Sequence, residues 1–460
     1  MTEFKAVDAE VRLLANCAVG LGFSYRGFRQ GLEHQPHAIG CDAGSADYGP
    51  AFLGSGRDPK SRVAVERDLS IMLEGAHELG IPLILGSCGG AGGLAHVAGY
   101  QTIIREIAKR RGIRFTAAIV NASQSPDSIR AAVDDGRVRP LGPRPPLDKA
   151  AIDASTEIVA MMGAGPVQQA LAQGADVVLA GRCADAAIFA GPALHRGAAP
   201  APTWHAAKAI DKGYLATADP AQGSPVLATI KHDHFIIEPT KPGVRCTTES
   251  VAKQTLYENP NPFRISLPEG DICVDKAEYE QLDERRVRVT GSRFEVAAAP
   301  TVKLEGAQQL GFRAVLIAGL RDPRILEELD AFVEEFRANL QRSAASLGIE
   351  PNAWSVRFRC YGRDAVLGDL EPHRSRIPHE VGLVVDVIAQ TQDIATALAT
   401  RAGPAGSKAT FNDRVGGGGN FAYPFSPNVL VGGAVYEWSL WHLLEVEDPA
   451  SPFSIELFEV

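Results

Sequence analysis

Two rhythms of apolar positions alternate along the first 200 residues. Residues 60–79 carry Val63, Leu69, Leu73 and Ala76 at helical spacing and stop at Gly80, the pattern of an amphipathic helix closed by glycine. The unbroken apolar run Leu83-Ile84-Leu85 follows and ends in Gly86-Ser87-Cys88. Next come Gly89-Gly90-Ala91-Gly92-Gly93, after which Leu94, Val97, Ile103, Ile104 and Ile107 resume helical spacing up to Gly112. Residues 82–96 therefore predict a buried strand, a glycine loop and a helix. Apolar strands are predicted again over 114–120 and 175–180, with helices over 125–133, 148–162 and 167–172 between them. Strands alternating with helices at these lengths predict βαβ units and an α/β, mostly parallel sheet domain.

Beyond residue 200 the rhythm changes. Residues 226–237, VLATIKHDHFII, read as a strand. Residues 301–305, TVKLE, place Lys303 and Glu305 on one strand face, because side chains alternate along a strand. A strand over 312–317, a helix over 322–347 opened by Pro323, strands over 355–361 and 380–389 and a helix over 392–401 complete the chain's order. This β-α-β-β-α succession predicts a ferredoxin-like α+β domain. The expected division is 1–200 for the parallel-sheet domain, 201–300 for a mixed extension completing the site, and 301–460 for the ferredoxin-like domain. Near the end, Gly416–Gly419 and Asn420, followed by aromatic and proline residues, predict a glycine loop that is either a lid over a site or a surface turn.

Composition narrows the function classes. A formal charge of −9 disfavours general nucleic-acid binding. No apolar run approaches the ~20 residues a membrane span needs, and the first residues carry acids in place of a signal-peptide layout. A cytoplasmic protein is the expectation. The seven cysteines stand singly, without a C-x-x-C pair, which disfavours zinc ribbons and thioredoxin-like motifs. The stretch Gly90-x-Gly92-x-x-Ala95 fits a loose dinucleotide fingerprint, but the next predicted strand ends in Asn121-Ala122-Ser123-Gln124 with no acid to hold a ribose. No NAD site is expected. P-loop and serine-hydrolase signatures are missing as well.

Candidate chemistry gathers at three places. The amides of Ser87, Gly89, Gly90, Gly92 and Gly93, at a helix N-terminus, are suited to a carboxylate or phosphate; the alternative is a tight crossover with no ligand. Arg182 and Asp185 follow a strand at the edge where ligands collect in open parallel sheets. Arg182 suits a bidentate carboxylate partner, or else an Arg–Asp bridge closing the loop. Asp42 and Asp47, in a loop of small residues, suit base, hydroxyl-binding or metal-binding roles, or local turn bonding. The densest ionisable cluster is His232, Asp233 and His234, for which acid–base catalysis is the first reading. Metal ligation together with Asp42, Asp47 or Asp185 is a second, which leaves a divalent metal open, and ordinary strand polarity without a role is the third.

Several stretches together resemble the acyclic terpene utilisation protein AtuA family. They are IPLILGSCGGAGG, RPLGP, ADVVLAGRCAD, WHAAK, HDHFIIEP, VRVTGSRF, TVKLEG, YGRD and NFAYPFSP. Members usually read GSAGG where this chain has Gly86-Ser87-Cys88-Gly89-Gly90, which argues against a shared catalytic cysteine. The resemblance implies breakdown of acyclic terpenes and small carboxylic acids. Longer relatives carry an extra small C-terminal domain, so a separately encoded small subunit is an implied partner. The combined expectation is a homo-oligomeric hydro-lyase acting on a small carboxylic acid or acyl-CoA ester. In it the glycine amides, Arg182, Asp42, Asp47 and Asn420 bind substrate, and His232 or His234 moves the proton, oriented by Asp233 or Asp185. The alternatives are a non-catalytic acyl-CoA or organic-acid-binding subunit of a two-component enzyme, and a metal-dependent hydrolase or isomerase.

Overall fold

Five short strands run parallel through the middle of the largest sheet in the computed structural model, which describes residues 10–410 and 421–460. In spatial order they are Val11–Ala15, Ala38–Asp42, Leu83–Gly86, Val177–Ala180 and Thr116–Asn121. Both faces are covered by helices, which is why these strands are apolar with little polar alternation. Leu14, Ile39, Leu83, Leu85 and Leu179 pack on one face with Phe28, Leu69, Met72 and Ile104. The helices there are Tyr25–Glu33, Arg62–Leu79 and Leu94–Arg111. The alternate positions Leu13, Ile84, Val178 and Val120 pack on the other face with Val167, Ile188, Phe189 and Trp204. These come from helices Ala164–Ala172, Ala187–His195 and Pro200–Ile210.

Antiparallel strands extend the sheet on both sides: Val226–Ile230, Phe235–Pro239, Val287–Thr290 and Glu278–Gln281 beyond the first strand, and Ser454–Glu459 beyond Thr116–Asn121. A separate three-stranded sheet, Arg264–Leu267, Gly270–Cys273 and Arg293–Val296, brings Phe294 flat against Trp204, with ring centroids 5.5 Å apart. All of this belongs to one compact unit, residues 1–308 with 438–460. Residues 201–300 lie within that unit.

The second unit comprises residues 309–437. Residues 312–320 pair antiparallel with Val381–Ala389, which pairs antiparallel with Trp354–Tyr361. Helices Pro323–Glu327, Leu329–Ser346 and Gln392–Ser407 supply Ile325, Phe332, Phe336, Leu340, Leu398 and Ala402 to its core.

Three elements differ from the pattern reading. The helix expected over 148–162 stops at Ala154, and Ser155–Ala160 is a strand paired with residues 304–308. Its β-branched Thr156, Ile158 and Val159 suit a pleated surface, and a partner strand distant in sequence supplies the hydrogen bonds. The run 226–237 is two strands joined by a turn, closed by the Lys231 amide donating to the His234 carbonyl. On helix Arg62–Leu79 the buried face uses Val65 and Met72 with Leu69, Leu73 and Ala76, while Val63 lies in solvent.

The glycine loop between Leu83–Gly86 and helix Leu94–Arg111 is a packing joint. A Cβ on Gly92, whose φ is +67°, would strike the backbone of Gly181 and Arg182, and one on Gly44 would strike the carbonyl oxygens of Ser87 and Gly90. Gly92→Ala or Gly44→Ala is expected to destabilise the protein by about 3 kcal/mol or more, since backbone cannot step aside. Gly99→Ala, at an open helical position, is expected to be neutral or to stabilise by roughly 0.5–1 kcal/mol. Urea denaturation midpoints of the three variants check this.

Candidate functional site

The carboxyl ends of the parallel strands collect the charged groups. Asp42 is the last residue of its strand and only 3% exposed. Its Oδ1 accepts from the Gly44 amide at 3.0 Å, and its Oδ2 lies 3.3 Å from Lys212 Nζ. Lys212 also donates to Asp185 Oδ2 at 2.8 Å. Lys212 follows helix Pro200–Ile210, and the residue before it, Asp211, is held on both oxygens. Lys208 Nζ donates to Asp211 Oδ2 at 2.8 Å and Gln254 Nε2 to Oδ1 at 2.6 Å. The turn that carries the Lys212 ammonium is thereby anchored on both sides.

A second charged group adjoins the first. Arg182 follows strand Val177–Ala180, and its guanidinium grips Glu305 through two hydrogen bonds, Nε to Oε2 at 2.8 Å and Nη2 to Oε1 at 3.2 Å. Arg182 Nη1 also donates to Ser87 Oγ at 3.2 Å. Ser87 in turn donates to the Cys183 carbonyl and accepts the Cys183 amide, both at 3.1 Å. Glu305 has no exposure and forms a second ion pair, 2.7 Å from Lys303 Nζ. The Lys303 ammonium sits 3.4 Å from the centroid of the Trp441 ring.

Burial and neighbours set the protonation of these groups. Burial, reinforced by the Asp185 charge, raises the Asp42 carboxyl to about 6, with Lys212 and the Gly44 amide opposing. Burial works against the Lys212 ammonium, but Asp185 and Asp42 overcome it and Lys212 is held charged. Glu305 resists its own burial because Arg182 and Lys303 flank it, and its carboxyl stays below the usual range. Burial pulls Lys303 below the usual lysine range, with Glu305 opposing. Arg182 is desolvated too, but Glu305 and Asp185 keep it charged.

A family model described as the acyclic terpene utilisation family protein AtuA matches residues 57–210 and 217–424. The chain belongs to this family. In this AtuA-family chain, Arg182, Asp185, Lys303 and Glu305 fall inside the matched segments, while Asp42 and Lys212 fall outside them. No curated protein and no solved structure matches the chain.

The structure brings together Asp42, Ser87, Arg182 and Asp185 of the residues singled out from sequence. It does not bring the histidines to them. His232, Asp233 and His234 form the turn between Val226–Ile230 and Phe235–Pro239, and Ile230 pairs with Val11, the first residue of its parallel strand. The turn therefore lies at the amino ends of the strands, opposite Asp42 and Ser87. His232 and Asp233 are exposed, and His234 Nδ1 lies 2.7 Å from Asp233 Oδ1. Both histidines leave the acid–base assignment for this physical reason.

The expected amide cradle is also corrected. Gly89, Gly90, Gly92 and Gly93 are buried, and Cβ atoms on them would meet His96, Pro59, Arg182 and Glu157 respectively. The amides of Ser87, Cys88 and Gly93 bond to Gly181, Ala180 and His96. The glycines let backbone approach backbone, and the loop is filled by its own chain. Arg182 takes Glu305 as its carboxylate, in place of a ligand's or that of Asp185. Asp47 is exposed and tied locally to Ser45, at 2.6 Å between Oδ2 and Oγ. Asn420 and the glycines before it lie outside the described residues.

The described residues do not offer the donor set of a divalent metal. Among the described residues no three His, Cys, Asp or Glu side chains converge for one, and the position between Asp42 and Asp185 is taken by the Lys212 ammonium. Lys212 itself was missed from sequence, having no motif around it. Lys303 and Glu305 carried a signal, their shared strand face.

Removing Glu305 leaves two desolvated cations without their carboxylate. Glu305→Ala is expected to lower stability by about 3–5 kcal/mol, read from denaturant unfolding. For Asp42, folding raises the carboxyl from 3.8 to about 6, so between those values the native state binds more protons than the unfolded chain. Stability from this group is full below about 4 and declines as pH rises through about 6. Asp42→Asn should flatten that slope in thermal unfolding measured across pH 4 to 7.

Proposed function

We propose that the chain is a hydro-lyase of carboxylic-acid catabolism, with Asp42 as the proton-carrying group and Lys212 as the cation facing the developing negative oxygen. The observation that carries this reading is a buried carboxyl raised to about 6 and set 3.3 Å from a charged lysine, at the carboxyl ends of a parallel sheet. A carboxyl in that range is matched to proton transfer near neutral pH. Membership of a family described by acyclic terpene utilisation supports an unsaturated or hydroxylated acid, or its thioester, as the substrate class.

In the dehydration direction, ionised Asp42 takes the proton on the carbon next to the carbonyl. The C–H electron pair moves toward the carbonyl oxygen, whose negative charge the Lys212 ammonium stabilises. Asp185 keeps that ammonium charged and oriented. As the double bond forms, the hydroxyl on the next carbon departs with the proton from Asp42, leaving as water and returning Asp42 to its ionised state. Hydration is the same path reversed. Among the described residues no helix is long and apolar enough to cross a membrane. The strand and helix order of residues 309–437 supports reading that unit as a ferredoxin-like α+β sandwich.

The test is turnover of branched unsaturated acids, the corresponding hydroxy acids and their CoA esters, followed by proton NMR in D2O to detect exchange at the carbon next to the carbonyl. Asp42→Asn should lower kcat by about 10²–10⁴-fold. The wild-type kcat/KM should rise with pH through an apparent pKa near about 6, and that limb should vanish in the variant. His234→Ala should leave kcat unchanged. Binding of these acids with neither turnover nor exchange would favour the non-catalytic binding subunit instead.

A further inference from the structure

The Arg182–Glu305–Lys303 group is more than a brace. Its single carboxylate faces two cations, so one positive charge within the triad has no partner there. Glu305 is wholly buried, whereas the Lys303 side chain retains 17% exposure, so the surplus charge is presented at the lysine end. The Trp441 ring lies against the Lys303 ammonium at 3.4 Å, and Trp438 adjoins Trp441 with ring centroids 5.1 Å apart. Both tryptophans are partly exposed. A half-desolvated cation beside an aromatic face is suited to an anion attached to an apolar body. The other charged group, Asp42 and Asp185 around Lys212, carries the opposite excess when Asp42 is ionised. Arg182 of one group and Asp185 of the other stand three residues apart in the loop after strand Val177–Ala180, so a positive and a negative group adjoin at this edge.

We propose that Lys303, backed by Glu305 and Arg182 and flanked by Trp441, is the subsite for the carboxylate of a free acid with an apolar unsaturated chain. This rests on the hydro-lyase reading of the same site and selects the free acid over the thioester. A free carboxylate is neutralised by the surplus charge of the triad, while its chain lies on the indole. A thioester or methyl ester brings no charge and leaves the half-buried ammonium without that partner. In a free acid the oxygen that gathers charge is this carboxylate's own, so Lys303 takes the stabilising role that Lys212 would have toward a thioester carbonyl, and Lys212 is left to hold Asp42 and Asp185.

The test measures binding to the full chain by calorimetry and by tryptophan fluorescence. The probes are 3-methylbut-2-enoate, its methyl ester and its CoA thioester. The free acid is expected to bind at least about tenfold more tightly than either ester and to quench fluorescence, a difference of about 1.4 kcal/mol. Lys303→Met, which keeps the aliphatic stem, should weaken the acid by about tenfold or more without changing the ester. Lys303→Arg should recover most of the loss, and circular dichroism of both variants controls for folding. Asp42→Asn should bind the acid within about threefold of the wild type while losing turnover. Equal binding of acid and ester, preference for the thioester, no saturable binding of the acid, or unchanged binding by Lys303→Met overturns the subsite. If the wild type binds the acid with neither turnover nor exchange while Lys303→Met loses that binding, the hydro-lyase reading fails and the subsite stands; full turnover by Asp42→Asn removes the assignment of Asp42 alone.

Discussion

Glu305 is a carboxylate without solvent, and it is tolerable only because two cations meet it there. Arg182 reaches it from the end of a parallel strand, and Lys303 from two residues earlier on its own strand. Charges taken out of water cost several kcal/mol each unless paired in good geometry. The bidentate Arg182 contact and the 2.7 Å Lys303 contact provide that geometry. The triad therefore ties the strand beginning at Thr301 to the carboxyl edge of the sheet, and it also passes through Ser87 to Cys183. The loops that close this edge share one hydrogen-bonded centre.

The same constraint explains the glycines. For Arg182 to approach Ser87, the loops after two neighbouring strands must meet backbone to backbone. Gly92 lies against the Gly181–Arg182 peptide and Gly44 against the carbonyls of Ser87 and Gly90, so side chains at either would hold the loops apart. The glycine loop serves the site from underneath, by letting its charged residues converge, and its Ser87, Cys88 and Gly93 amides are spent within the chain. Asp42 and Asp185 complete the arrangement by surrounding Lys212, whose turn is pinned by the buried Lys208–Asp211–Gln254 contacts. One side of the edge thus holds a surplus of positive charge and the other a carboxyl raised by its own burial.

Much of the scaffold was legible in the amino-acid pattern. Apolar runs bounded by glycine marked the parallel strands, and 3.6-residue spacing marked the helices that cover them. The alternation rule placed Lys303 and Glu305 on one face, and the positions of Asp42, Ser87, Arg182 and Asp185 after strands marked the edge where they meet. The reading failed where a local pattern had two solutions. Residues 155–160 suit a helix extension or a strand, and a pairing partner some 145 residues downstream selected the strand. The histidine cluster was the most conspicuous chemistry in the chain, yet its value depended on which end of the sheet it occupied.

The sequence by itself determined the alternation of strands and helices, the small residues that allow close loops, and the family, because these follow from local periodicity and motif. Only the tertiary structure decided which charges face one another. Strand direction is invisible in composition, and the antiparallel pairing of Ile230 with Val11 sent the histidines to the far end. Ion-pair choice is equally non-local: Arg182 could meet Asp185 three residues away, but burial beside Glu305 offered it a desolvated carboxylate with both oxygens in reach. Electrostatics in a low-dielectric interior are set by what else is buried nearby, and that is a property of the folded chain.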